Sequence, residues 1–255
     1  MGIARKDSAA AEKAAQPASR LRKGLEGLRS IAVALAVALA VRAFLFEPYS
    51  IPSGSMLPTL QIGDYVVVTK FAYGIRMPFT NSMIWQRKIP ERGDVIVFER
   101  PTVNPETLIK RVVGLPGETV EIVDGVVHVD GVPQPRTLLE AGYSFDDFLE
   151  TSRSWVNARA DLYVESFPGT EGNGRHLVLQ AHRPRRSHEG PYRVPEGHVL
   201  VFGDNRDNST DSRAFGVVPL GNIRGRADLI GFSWGKSGPR LDRVFHRIDG
   251  DVPNG

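Results

Sequence analysis

Glu47-Pro-Tyr-Ser-Ile-Pro-Ser-Gly-Ser-Met-Leu-Pro-Thr-Leu60 is the stretch on which the reading of this 255-residue chain turns. The residues before Pro48, Pro52 and Pro58 are biased away from helix, so the backbone here is stiff, extended and turning. Gly54 lets it bend sharply between Ser53 and Ser55. Two hydroxyls held at a rigid bend suit a serine nucleophile with a helper. The same composition also describes a solvated linker, and the flanking sequence has to decide between the two.

Upstream, Met1 to Gly27 reads as a disordered basic tail. Leu28 to Phe46 is strongly apolar, uninterrupted from Ile31 to Val41, with Arg42 near its end. A spanning helix needs ~20 apolar residues, and Arg42 can snorkel to the interface. The run is long for a cleaved leader and hard for a chain of this size to surround as a core helix. It is therefore expected to be a membrane anchor over 28–46. Arg5, Lys6, Lys13, Arg20, Arg22, Lys23 and Arg29 precede it, which places the N-terminus in the cytoplasm and the bulk of the chain outside. No second spanning run follows, so a single pass is expected.

Composition narrows the class. With 41% apolar and 24% charged residues, the chain can bury one sizeable core with a small satellite. Its 26 glycines and 18 prolines favour a turn-rich β protein. A net charge of +3 gives no case for nucleic acid. The absence of cysteine excludes disulfides, thiol nucleophiles and thiolate metal sites.

Beyond the bend, Asp64–Thr69, Asp94–Glu99 and Leu108–Val113 are short β-branched runs. Val120 to Val132 reads as strands joined by the hairpin signals Asp124-Gly125 and Asp130-Gly131. His198–Phe202 and Asp228–Trp234 are further strands, and Phe71–Arg92 reads as a loop. The expected organisation is a β core over 47–135 and 195–235, an inserted β subdomain over 136–194 and a polar tail over 236–255.

Ser55 needs a base. The six histidines (His128, His176, His182, His188, His198 and His246) are scattered and none is framed by a stiff motif. A lysine serves if it is desolvated and so neutral. Strand alternation puts Leu108, Lys110 and Val112 on one face and Ile109, Arg111 and Val113 on the other. Both cations have apolar neighbours, so at least one is partly buried, although cations also guard exposed sheet edges. A third polar stretch, Gly203-Asp-Asn-Arg-Asp-Asn-Ser-Thr-Asp-Ser-Arg-Ala-Phe-Gly216, can cap turns and orient a catalytic group. It is not a calcium loop, because counting from Asp207 the sixth position is Ser212 and not glycine. Gly231–Ser237 is one residue short of a phosphate-binding loop.

Pro52-Ser-Gly-Ser-Met-Leu-Pro-Thr59, Gly93-Asp-Val-Ile-Val-Phe98, Ile109-Lys-Arg-Val-Val-Gly-Leu-Pro-Gly117 and Gly203–Arg213 together resemble, in order and spacing, the successive signatures of bacterial signal peptidase I. The resemblance covers about 46–123 and 194–234. It implies a mainly β fold: a coiled antiparallel-sheet catalytic core with a smaller inserted β subdomain, preceded by one transmembrane helix. It implies a cell-membrane Ser/Lys endopeptidase, without metal or cofactor, that cuts signal peptides from exported preproteins after Ala-x-Ala. Ser55 would be nucleophile and Lys110 general base. Ser53 Oγ would join the Ser55 N–H in the oxyanion hole, Ser209 would orient Lys110, and Asp211 with Arg213 would brace the site. Tyr49, Ile51, Met56 and Ile109 would line small apolar pockets. Its expected partners are preproteins and the lipid bilayer, and the chain is expected to be monomeric. Ala214-Phe215 departs from the two aromatics often found there. A dedicated pilin or conjugation peptidase of the same mechanism is a narrower alternative. A soluble self-cleaving repressor would need a DNA-reading N-terminal domain in place of the apolar run. A silent binding protein would have lost Ser55 or Lys110.

Overall fold

The computed structural model describes residues 26–39, 42, 44–76, 83–149, 151–170, 174–182 and 187–248. The chain divides into two units, 1–45 and 46–255.

In the first unit residues 26–39 are helical, with Leu28, Ile31, Val33, Leu35, Val37 and Leu39 exposed. Among the described residues no helix is long and apolar enough to cross a membrane. The span expected over 28–46 includes Ala40, Val41 and Ala43, which lie outside the described residues. Its last residue, Phe46, is not helical and opens a strand instead.

The second unit is mainly β. Its strands begin with β1 (Phe46–Ser50), β2 (Asp64–Thr69), β3 (Gly74–Arg76), β4 (Met83–Gln86), β5 (Val95–Glu99) and β6 (Thr107–Gly114). They continue with β7 (Thr119–Val123), β8 (Val126–Val129), β9 (Val132–Pro133), β10 (Arg136–Leu149), β11 (Ser154–Ser166) and β12 (Arg175–Gln180). The last are β13 (His188–Arg193), β14 (His198–Phe202), β15 (Val218–Pro219), β16 (Ile223–Gly235) and β17 (Gly238–Pro239).

The main sheet runs β1-β2-β16-β5-β6-β14-β15, with β17 also paired to β16. Every pairing in it is antiparallel. The unbroken apolar run Val95-Ile-Val-Phe98 explains why β5 sits inside it, since such a strand is buried on both faces. Val95 and Val97 pack with Ile51, Met56, Leu60, Val66 and Val68. Ile96 and Phe98 pack on the other side with Val112, Val199, Val201 and Ile223.

Three stretches differ from the sequence reading. Phe71–Arg92 is not all loop, because β3 and β4 form a hairpin within it. Residues 136–194 hold extended strands: β10, β11 and β12 form a three-stranded sheet, whereas β13 crosses to pair with β7. The sheet β13-β7-β8-β9 therefore joins residues on both sides of the expected boundary after 135. Of the polar tail expected over 236–255, residues 236–248 are described and pack onto the β core. Ile248 is buried in the cluster around Met56. Arg240 and Arg243 reach the fully buried Asp64, Arg243 Nη2 donating to Oδ2 at 2.6 Å and Arg240 Nη2 to Oδ1 at 3.2 Å. A buried carboxylate demands partners, and these arginines supply them.

Candidate active site

The nucleophile turn is fixed from both ends. Ile51 N–H donates to Asp64 O at 2.8 Å and Ile51 O accepts from Gly63 N–H at 2.9 Å, so the chain leaves β1 still held to its neighbour. Gly54–Met56 makes one tight turn, closed by Leu57 N–H on Gly54 O at 3.1 Å. Met56 and Leu60 are sunk in the core at 0% exposure, which leaves half-buried Ser53 and Ser55 facing outward. Their hydroxyl oxygens are 3.4 Å apart.

Strand β6 brings Lys110 to this turn. Its Nζ is 2.7 Å from Ser55 Oγ and donates to the Ile109 carbonyl at 2.8 Å. The lysine is 2% exposed. Burial pushes its pKa down to about 8, against the pull of Asp211, Asp204 and Glu106 toward the charged form. The expectation that Lys110 or Arg111 is buried holds for both, since Arg111 is 3% exposed.

The third stretch, 203–213, clasps the turn. Asn205 Nδ2 donates to Gly54 O at 3.1 Å and Asn205 N–H to Ser55 O at 3.2 Å. Gly203 is required by close approach, because an added Cβ would overlap Ser55 O and the Ser209 hydroxyl. Asp211 is fully buried, accepts Gly203 N–H at 3.0 Å and caps the one-turn helix Ser212–Phe215. Arg213 grips it with Nε at 2.8 Å and Nη2 at 2.8 Å, and donates from Nη2 to Arg206 O at 2.6 Å. The Asp211–Arg213 pair thus joins the two ends of the loop.

Two expected placements differ. Ser209 Oγ is buried but makes no hydrogen bond, whereas the Lys110 amine donates to the carbonyl of Ile109. Ile51 and Met56 are core residues, with Tyr49 and Ile109 partly buried against the same cluster. Of this group only Tyr49 and Ile109 keep exposed surface. Burial and the neighbouring Glu47 push the Tyr49 phenol up to about 12, so it stays a neutral donor. The open groove at Ser55, of ≈ 390 Å³, is lined instead by Leu108, Glu106, Asp147, Leu149 and Asn208 among others.

Sequence reasoning also missed the site's buried ion pair. Arg111 donates to Asp204 from Nε at 2.8 Å and Nη2 at 2.6 Å, and Thr59 Oγ1 donates to Asp204 Oδ2 at 2.6 Å. The signal was present in part: a cation on the apolar face of a strand needs a carboxylate, but nothing named which one. Among the described residues no histidine lines the Ser55 groove. His176 is buried against Glu165, which Arg206 also holds.

The family model described as "Signal peptidase, peptidase S26" matches residues 25–232. The signal peptidase I of Pseudomonas fluorescens is 37% identical over 227 residues, 84% of this chain and 74% of that protein. That of Buchnera aphidicola subsp. Acyrthosiphon pisum is 32% identical over 253 residues, 85% of this chain and 81% of that protein. A solved signal peptidase I from Enterococcus faecalis is 29% identical, covering 55% of this chain and 97% of its own, at a TM-score of 0.30. With the match extending over most of the second unit and every stretch of the site, the chain belongs to the signal peptidase family, peptidase S26, and is a serine peptidase.

Proposed function

We propose that the chain cleaves N-terminal signal peptides from exported preproteins after Ala-x-Ala, with Ser55 as nucleophile and Lys110 as general base. The observation that carries this is the 2.7 Å approach of a buried lysine amine to a hydroxyl at the floor of an open groove. Burial keeps a useful fraction of that amine neutral near physiological pH.

In the neutral state the Ser55 hydroxyl gives its proton to Lys110 Nζ as Oγ attacks the scissile carbonyl carbon. The oxyanion that forms is held by the Ser55 N–H and the Ser53 hydroxyl, each such donor being worth ~3 kcal/mol. The Lys110 ammonium returns its proton to the departing amine, the C–N bond breaks and an ester on Ser55 remains. Lys110 then takes a proton from a water that attacks the ester, and restores Ser55 as the acyl group leaves. Asp211 and Arg213 keep the 203–213 loop on the turn throughout. Residues 28–45 act as the membrane anchor, N-terminus in the cytoplasm, with the catalytic unit on the far side. A substrate whose signal sequence lies in the same bilayer meets the site at raised effective concentration.

The test is to incubate the purified chain with a preprotein carrying Ala-x-Ala and map the products by mass spectrometry. One cut after the second alanine is expected, and none from Ser55→Ala or Lys110→Ala chains that remain folded. Cleavage by either variant, or a cut elsewhere, overturns the reading.

A further inference from the structure

The long β10–β11 hairpin has no part in the mechanism above, yet one face of β10 runs along the catalytic turn. From Tyr143 to Leu149 the register with β11 is unbroken, so Tyr143, Phe145, Asp147 and Leu149 share a face. Burial follows the alternation: 143, 145 and 147 are covered, whereas 144 and 146 are exposed. Tyr143 and Phe145 pack in the cluster that holds Leu57, just past the nucleophile turn.

Two residues on, Asp147 is 6% exposed and lies against Gly54, where an added Cβ would overlap its Oδ1. Its Oδ2 accepts from Asn208 Nδ2 at 2.9 Å and its Oδ1 from Phe148 N–H at 2.8 Å. The hairpin is therefore pinned to the turn that carries Ser55 and to the loop that clasps it. The next position on this face, Leu149, has nothing left to cover it: it is 43% exposed and lines the groove that contains Ser55 and Lys110. Leu108 lines the same groove from β6. Two apolar side chains from separate sheets border a channel whose floor is the dyad.

We propose that the β10–β11 hairpin is one jaw of the substrate groove, in which Leu149 makes an apolar contact with the bound polypeptide and Asp147 is the positioning residue that sets the jaw on Gly54. This rests on the peptidase reading above, and deepens it by giving the hairpin a role in substrate affinity. A polypeptide strand crossing Ser55 passes beneath Leu149, and burying that side chain strengthens binding in proportion to the apolar area removed from water.

The experiment compares steady-state cleavage of a preprotein by the unaltered full chain and by Leu149→Ser and Leu149→Met chains, with thermal midpoints recorded alongside. Leu149→Ser is expected to raise KM roughly five-fold with kcat within about two-fold, and Leu149→Met to restore KM. An unchanged KM for Leu149→Ser overturns the jaw, as does a lowered thermal midpoint accompanied by an equal loss in kcat. The two readings fail separately. No cut by the unaltered chain overturns the proposed function and the jaw with it, whereas a cut whose KM ignores Leu149 overturns the jaw alone.

Discussion

Lys110 and Arg111 are neighbours in one strand, point to opposite faces and meet opposite electrostatic fates. Arg111 closes a two-pronged pair on Asp204, at 2.8 and 2.6 Å. Lys110 makes no ion pair among the described residues and touches only the Ser55 hydroxyl and the Ile109 carbonyl. A guanidinium cannot shed its charge, so it can be buried here only against a carboxylate. An amine can lose its proton, and burial without a partner pushes it to do so. One strand thus delivers a permanent cation to the core and a switchable base to the groove.

The switchable base fixes the pH dependence. Only neutral Lys110 can accept the Ser55 proton, so kcat/KM is expected to rise with pH through about 8 and then level. Asp211 is the foremost of the groups that hold the ammonium form, and Asp211→Asn removes that charge while leaving an oxygen for Gly203 N–H. The limb of the pH–rate profile is expected to move to lower pH in that variant. A limb that stays in place would show that a group other than Lys110 is titrating.

The same burial makes Lys110 a cost to the fold. A lysine with its ordinary value of 10.5 in the unfolded chain and about 8 when folded binds more protons unfolded between those values. Stability therefore climbs with pH across that window, and below about 8 the folded state carries the whole penalty, about 3 kcal/mol. Lys110→Met removes it but strips the Ile109 carbonyl of a donor, worth ~1 kcal/mol. Urea unfolding at pH 7 is expected to show the variant more stable by about 2 kcal/mol, with the gain fading as pH rises above about 8 and gone by about pH 10.

Asp204→Ala leaves Arg111 buried without its carboxylate and Thr59 without its acceptor. Breaking a buried pair from one side costs about 3–5 kcal/mol, far more than the intact pair contributes. The urea midpoint is expected to fall with the slope unchanged. Asp204→Asn, which keeps an oxygen for Thr59, is expected to fall less.

How far the fold could be read from sequence depended on whether its cause was local. Asp64–Thr69 and His198–Phe202 form where their β-branched runs predict, and the turns at 124–125 and 130–131 take positive φ at both positions, as two-residue hairpins require. Ser55 and Lys110 each had a plain alternative use, in a linker or at a sheet edge, and it was the resemblance of their stretches to the family's signatures that singled them out; the fold brings the two within 2.7 Å. Phe46–Ser50 was not, because its apolar start continues the run before it and Pro48 argues against a strand. As an edge strand it spares Pro48 from donating. Asp204 and Asp147 were hidden in polar stretches where only a distant partner, Arg111 or Gly54, singles one carboxylate out. The Ile109 carbonyl that meets Lys110 could not be read in advance, since backbone carbonyls leave no trace in a sequence.

The arginines beyond 235 tie the far end of the chain to the start of the catalytic unit. Arg243 Nη2 donates to Thr59 O at 3.0 Å as well as to Asp64, and Arg240 reaches Gln61 and Ile62. Thr59 to Asp64 is the return path of the loop that carries Ser55. A growing polypeptide thus has its nucleophile early but lacks the counter-charges for Asp64 until Arg240 and Arg243 are made, 176 and 179 residues after it. The nucleophile turn is therefore braced only once those two arginines have joined the chain.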